Sequence, residues 1–197
     1  MQTSSKTAPL HLQINTPVPF MRESWRQKGI GILRIIFGIV LGIDAWFKWQ
    51  PDFQNNFVSY LTSSLDGQPQ AVKAWITFWI HVVGVNPSLF AHLVALGETA
   101  IAISLILGLF TNVSLLAGVL LSLMIWSTAE GFGGPYAAGS TDIGTSIIYA
   151  MVYIGLFLSS SGLFLGVDHF LAPWLGKWGI LASGSMGEQK QTHRQTR

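Results

Sequence analysis

The stretch GIGILRIIFGIVLGIDAWFKW, residues 29–49, decides the fold, because it is apolar throughout except for Arg34, Asp44 and Lys48. About 20 helical residues rising 1.5 Å each cross the hydrocarbon core of a bilayer. Three further apolar stretches follow at 89–110, 113–129 and 143–165. Together they predict an all-α membrane protein, a four-transmembrane-helix bundle. Composition agrees: of 197 residues half are hydrophobic and only 10% are charged, with mean hydropathy +0.46, where a soluble domain carries roughly 25% charged residues. The chain has no cysteine, which excludes disulfides, thiol nucleophiles, iron–sulfur ligation and covalently attached haem. None of its histidines is paired at metal-ligand spacing, so no metal site is expected.

Outside the spans, residues 1–28 are rich in Ser, Thr, Gln and Pro and read as a disordered cytoplasmic tail. Residues 169–197 read as a second cytoplasmic tail, leaving 29–168 as one membrane domain. Lys6, Arg22, Arg26 and Lys28 precede the first span, and Lys177, Lys190, Arg194 and Arg197 follow the fourth. Basic residues favour the cytoplasmic side, so both termini are expected there. The net charge of only +2, gathered mostly in the tails, excludes a nucleic-acid-binding stripe. The outer segment 50–88 carries Phe53, Phe57, Leu61 and Leu65 at every fourth position, then Val72, Trp75, Ile76, Trp79, Ile80 and Val83 at helical spacing. Asp66-Gly67-Gln68-Pro69 separates them. This predicts two short amphipathic helices on the outer face, either anchoring Trp75 and Trp79 at the headgroups or plugging the bundle. Gly131, Gly133, Gly134 and Gly139 read as a flexible outer loop.

An ionisable side chain inside a span costs at least ~2.5 to 3.5 kcal/mol on insertion scales, so each needs a partner or a task. Arg34, Asp44 and Lys48 fall within an arc of roughly 80° on the first helix. Gly38 and Gly42 widen that face into a close-approach surface for a neighbour. Glu98 sits in the middle of the second span, roughly 18 Å above its inner end, against about 22 Å for Asp44 and about 8 Å for Arg34. Depth therefore groups Lys48, Asp44 and Glu98 in the outer half of the membrane and leaves Arg34 as a separate inner charge, structural or snorkelling to the cytoplasmic face. Two carboxylates sharing one ammonium is one way to build a buried proton donor or acceptor, and the same set can serve as a polar lock between helices.

On the fourth span, Asp142, Ser146, Tyr149 and Tyr153 lie within about 40° of one another. Lys48, Glu98 and these residues are the expected lining of a pocket for a quinone head group or a small anion. His92, about 240° round the helix from Glu98, is an interfacial or packing residue; His81 and His169 lie at segment ends.

The run Gly31-Ile32-Leu33-Arg34-Ile35-Ile36-Phe37-Gly38-Ile39, continued to Phe47-Lys48, resembles the first helix of the DoxX and DoxD family. Gly97-Glu98-Thr99-Ala100 leading to Leu107-Gly108-Leu109-Phe110-Thr111 is similar to that family's second helix and turn, and Thr141-Asp142-Ile143-Gly144 resembles the DoxD branch. The resemblance implies a four-helix protein of the prokaryotic plasma membrane. It further implies a subunit of a thiosulfate:quinone oxidoreductase, which joins two thiosulfates into tetrathionate and passes two electrons to membrane quinone, with a second protein subunit as partner. Quinone would then be a substrate, with no covalently bound cofactor. The alternatives are a non-catalytic anchor or assembly subunit of a larger respiratory or photosynthetic membrane complex, and a proton or small-solute pathway through the bundle.

Overall fold

A computed structural model describes residues 25–163, 165–168 and 170 of the chain. The stretches read as tails fall outside these residues, except that 25–28 open the first helix and Phe170 is described. Seven α-helices and no strand occur among the described residues: α1 Trp25–Lys48, α2 Pro51–Asn55, α3 Phe57–Ser63, α4 Gln70–Gly84, α5 Pro87–Leu107, α6 Thr111–Ser127 and α7 Thr145–Leu158. Short 3₁₀ turns occupy Gly131–Gly133 and Ser161–Leu163.

The apolar faces point the wrong way for a soluble protein. Along α1, Ile32, Ile36, Ile39, Ile43 and Trp46 are exposed, whereas Gly31, Arg34, Phe37, Gly38, Leu41 and Ala45 are buried. Leu93, Leu96 and Ile103 on α5, Leu116 and Leu120 on α6, and Met151 and Ile154 on α7 continue the exposed belt. A contiguous apolar surface of this kind suits lipid rather than water. Two helices, α1 and α5, are long and apolar enough to cross a membrane. The 17-residue α6 and 14-residue α7 are shorter apolar helices.

α1 packs mainly on α5, and α6 on α7. A Cβ at Gly38 would meet the Ile106 side chain at 2.9 Å and its backbone nitrogen at 3.0 Å, so the close approach of α1 to α5 depends on glycine there. The core between the four helices holds Phe37, Leu41, Ile101, Leu105, Leu115, Tyr153 and Leu156. Asn86 caps α5 by accepting from the Leu89 amide at 3.1 Å, with Pro87 in the first turn. At the other end Gly108, at φ +66°, takes the left-handed conformation that stops the helix. The chain then turns through Leu109 and Phe110 into α6.

The outer segment differs from the expected pair of helices. Its first half is split at Asn56 into α2 and α3, and only α4 is one continuous helix. These pieces lean on α5 and enclose a second apolar cluster of Phe57, Leu61, Val83 and Ala91, flanked by Phe53, Trp79 and Phe90. The fourth apolar stretch also departs from expectation. Gly144, at φ +94°, delays the start of α7 to Thr145, and Ser159 caps its end, so 14 residues are helical where 143–165 was expected. Ser160, at φ +50°, then turns the chain back across the α5–α6 turn.

Candidate functional site

Lys48 closes α1, and its backbone carbonyl accepts from Gln54 Nε2 at 2.7 Å, which pins α2 against it. The Lys48 Nζ lies 3.1 Å from Asp44 Oδ2, one turn earlier on the same helix, and 3.3 Å from Glu98 Oε2 on α5. The Glu98 side chain is 9% exposed, that of Lys48 18% and that of Asp44 38%. The Asp44 contact is a hydrogen bond, whereas Glu98 Oε2 is held by charge alone. Beside this set, Trp49 Nε1 donates to Thr99 Oγ1 at 3.0 Å, a second stitch between the ends of α1 and α5.

Two cavities meet here. The smaller, about 240 Å³, is polar: it is lined by Asp44, Lys48, Glu98, Ser122, Ser146, Tyr149 and Tyr153 among others. The larger, about 760 Å³, is walled by Phe47, Phe53, Phe57, Tyr60, Trp79, Phe90 and Met124. Lys48, Leu121, Ile125 and Glu130 line both. The outer helices thus roof an aromatic chamber next to a polar one, where sequence reasoning expected one pocket. Of the two readings left open for the outer aromatics, Trp79 takes the plugging one, half-buried in that roof, while Trp75 remains exposed and packs edge-on to it.

Tyr153 is 3% exposed, and Tyr149 is half-buried. Both rings meet Phe37 edge-on, at centroid distances of 5.0 and 5.6 Å. Tyr153 crosses α6 directly over Gly118, where any Cβ would collide with its ring. Ser146 reaches the polar chamber too, but Asp142 does not: it is exposed in the loop, where Oδ1 accepts from the Gly144 amide at 2.9 Å. The expectation that Asp142 continues the α7 stripe fails because the helix begins three residues later.

Glu130 is the residue that sequence reasoning missed. Its Oε1 accepts from Ser146 Oγ at 2.8 Å, and both oxygens accept from the Ser146 amide, at 3.2 and 3.1 Å. A carboxylate at the N-terminal turn of α7 satisfies an orphan amide and complements the helix dipole. The glycine segment after it is pinned as well. Gln68 Nε2 donates to the Gly131 carbonyl at 3.0 Å, and Trp126 Nε1 to the Ile143 carbonyl at 2.8 Å. That bracing holds the two ends of the loop at Gly131 and Ile143, whereas Gly139 lies in an exposed stretch with nothing within 4 Å of where a Cβ would sit.

Arg34 lies elsewhere and does not snorkel. It is 0% exposed, and its guanidinium donates to the Ser161 carbonyl at 3.1 Å and the Leu165 carbonyl at 2.8 Å. Asp168, also fully buried, accepts from the Phe110 and Thr111 amides at 2.7 and 2.8 Å, capping α6. The Asp168 amide donates to the Gly108 carbonyl at 2.8 Å, and that of Val167 to the Leu107 carbonyl at 3.0 Å. Arg34 thus ties the chain beyond α7 to α1, while Val167 and Asp168 tie it to the α5–α6 turn. His92 bonds the Ser88 carbonyl through Nδ1 at 2.7 Å and packs on Trp49. His81 bonds the Thr77 carbonyl, and His169 lies outside the described residues. Among the described residues no group of His, Cys, Asp and Glu is arranged to hold a metal ion.

The family model described as DoxX matches residues 29–131, just over half of the chain. The match takes in α1 to α6, and with them Asp44, Lys48, Glu98 and Glu130. No curated protein and no solved structure matches.

Proposed function

The chain belongs to the DoxX family of membrane proteins, and on that premise we propose that it is a multi-pass, four-span subunit of the prokaryotic plasma membrane that reduces quinone with electrons from a sulfur anion. The observation that carries this reading is the meeting of the two chambers at Lys48 and Glu130. An aromatic cavity of about 760 Å³ is in the size range of small-molecule sites, which are mostly apolar with a few placed polar groups. In this reading the quinone ring lies in that chamber against Phe53, Phe57 and Trp79, with one oxygen toward Lys48.

Quinone takes up two electrons and two protons to become quinol. The electrons come from two thiosulfates as they join through a new S–S bond into tetrathionate. Lys48 donates a hydrogen bond to the quinone oxygen on which negative charge develops. Glu98 and Asp44 pass protons across the polar chamber, and Tyr149 and Tyr153 relay them. The anion itself docks on a second protein subunit. Lys48 is already flanked by two carboxylates within 3.3 Å, and a dianion brought to it would face Asp44, Glu98 and Glu130 as well. The pocket is in this reading a quinone pocket and not an anion pocket.

The test is to purify the chain with whatever co-purifies and follow quinone absorbance after thiosulfate is added, in the wild type and in Glu98→Gln. Loss of turnover with quinone binding retained supports the reading. A second reading, a non-catalytic anchor of a larger membrane complex, draws on the stitches from Lys48 to Glu98 and Trp49 to Thr99 that join α1 to α5. It takes over if the intact assembly reduces no quinone with any sulfur anion.

A further inference from the structure

The polar chamber carries more negative charge than it answers. Asp44, Glu98 and Glu130 line it with three carboxylates, and Lys48 supplies one ammonium. Counted formally, the chamber holds two negative charges in excess; Glu98 is the deeply buried one, whereas Asp44 is 38% exposed and Glu130 is held by the Ser146 amide and hydroxyl. Two further observations point to something that fills the space. Tyr153, 3% exposed, turns its ring into the chamber wall, yet no hydrogen bond joins its hydroxyl to another described residue. Glu98, with a side chain nine-tenths buried, has an oxygen that faces the Lys48 ammonium at 3.3 Å but makes no hydrogen bond.

The size and shape of the chamber limit the occupant. A volume of about 240 Å³ has room for roughly eight water-sized groups at about 30 Å³ each. A bare metal ion is too small, and the acidic groups do not converge on one point as metal ligands do. Protons on the carboxylates would cancel charge but leave the volume and the tyrosine hydroxyl unanswered. What matches all of it is a small organic cation whose N–H groups donate to carboxylates and phenol oxygens, with aromatic walls at Tyr149 and Tyr153 to face the charge.

We infer that the chamber bounded by Asp44, Glu98, Glu130 and Tyr153 binds a small protonated amine, entering past the part-exposed Asp44. The site shares Asp44, Glu98 and Tyr153 with the quinone reading, which places the ring itself in the adjoining aromatic chamber; amine binding is read without quinone or thiosulfate, so the two readings fail separately.

The experiment uses the full chain in lipid nanodiscs and reads the unfolding midpoint against added 1,4-diaminobutane, with 1,4-butanediol as the uncharged match at equal ionic strength. The diamine is expected to raise the midpoint by several degrees and to saturate, as a ligand selective for the folded state does, while the diol leaves it unchanged. Asp44→Asn and Tyr153→Phe, which keep shape and remove one polar function each, are expected to shift the half-saturating concentration upward at least tenfold. Glu98→Gln is expected to do the same if it folds, and the other two variants carry the test if it does not. Equal effects of diamine and diol overturn the proposal. So does a diamine effect that both Asp44→Asn and Tyr153→Phe leave intact. Neither result bears on quinone turnover, which is measured without amine.

Discussion

Lys48 Nζ stands 3.3 Å from Glu98 Oε2, so the outer end of α1 is fastened by charge to the middle of α5. Breaking a buried pair from one side leaves the other charge uncompensated and commonly costs ~3 to 5 kcal/mol; the 18% exposure of Lys48 places its own removal toward the lower end. Thermal unfolding in detergent is expected to show Glu98→Gln and Lys48→Met each destabilising, with the double variant milder than their sum. Strict additivity would mean that the two groups do not interact.

At the opposite end of the molecule, Asp168 caps α6 through the Phe110 and Thr111 amides. Asp168→Ala is therefore expected to lower stability by about 1 to 2 kcal/mol, the scale of a lost helix cap, and to speed hydrogen exchange at those two amides. Gly108→Ala is expected to be worse. Its left-handed backbone disfavours a side chain, and a Cβ would sit 2.5 Å from both Arg34 Nη1 and Gly166 Cα. Unchanged exchange at residues 110 and 111 in Asp168→Ala would contradict the cap.

Glu130 performs the same service for α7 from across the loop. Glu130→Gln keeps an acceptor and loses the charge, so about 0.3 to 1 kcal/mol of dipole interaction should go. Ser146→Ala removes one donor and spares the amide contact. Amide exchange at Ser146 is expected to rise more in Glu130→Ala than in either. Equal rates in all three would show that the carboxylate does not hold the helix end.

Four crossings with both termini inside give a topological expectation that the absence of cysteine makes simple to check. Single cysteines at Ser4, Asp66, Ala138 and Thr192 are to be probed on intact cells with an impermeant thiol reagent. Labelling is expected at 66 and 138 and protection at 4 and 192. External labelling of either terminus would reverse the arrangement.

The legible parts of this site are those with local geometry behind them. Asp44 and Lys48 are one helical turn apart, so periodicity alone puts them together, and the rise per residue brings Glu98 to their depth. Gly38 announces the close α1–α5 contact in the same way. The partners of Arg34 were illegible for a physical reason: they are backbone carbonyls 127 and 131 residues away, which any residue type can supply. Glu130 was hidden because its partner Ser146 lies beyond a 3₁₀ turn and a loop, outside any helical repeat. Hydropathy runs the fourth stretch from 143 to 165, yet it cannot register that Gly144 and Ser160 take positive φ values just before and just after the helix. The division into an aromatic and a polar chamber depends on where α2 and α3 break, and that break at Asn56 has no strong sequence signal.

In the proposed reaction Glu98 and Asp44 supply protons to a quinone held by Lys48 in the neighbouring aromatic chamber. The most direct test follows single-turnover quinone reduction by the intact assembly under excess thiosulfate, with quinone affinity determined separately, in the wild type and Glu98→Gln. The account predicts a reduction rate at least tenfold lower in Glu98→Gln at nearly unchanged quinone affinity, in line with the 10² to 10⁴-fold range of general acid catalysis. A folded Glu98→Gln assembly that reduces quinone at the wild-type rate would contradict it.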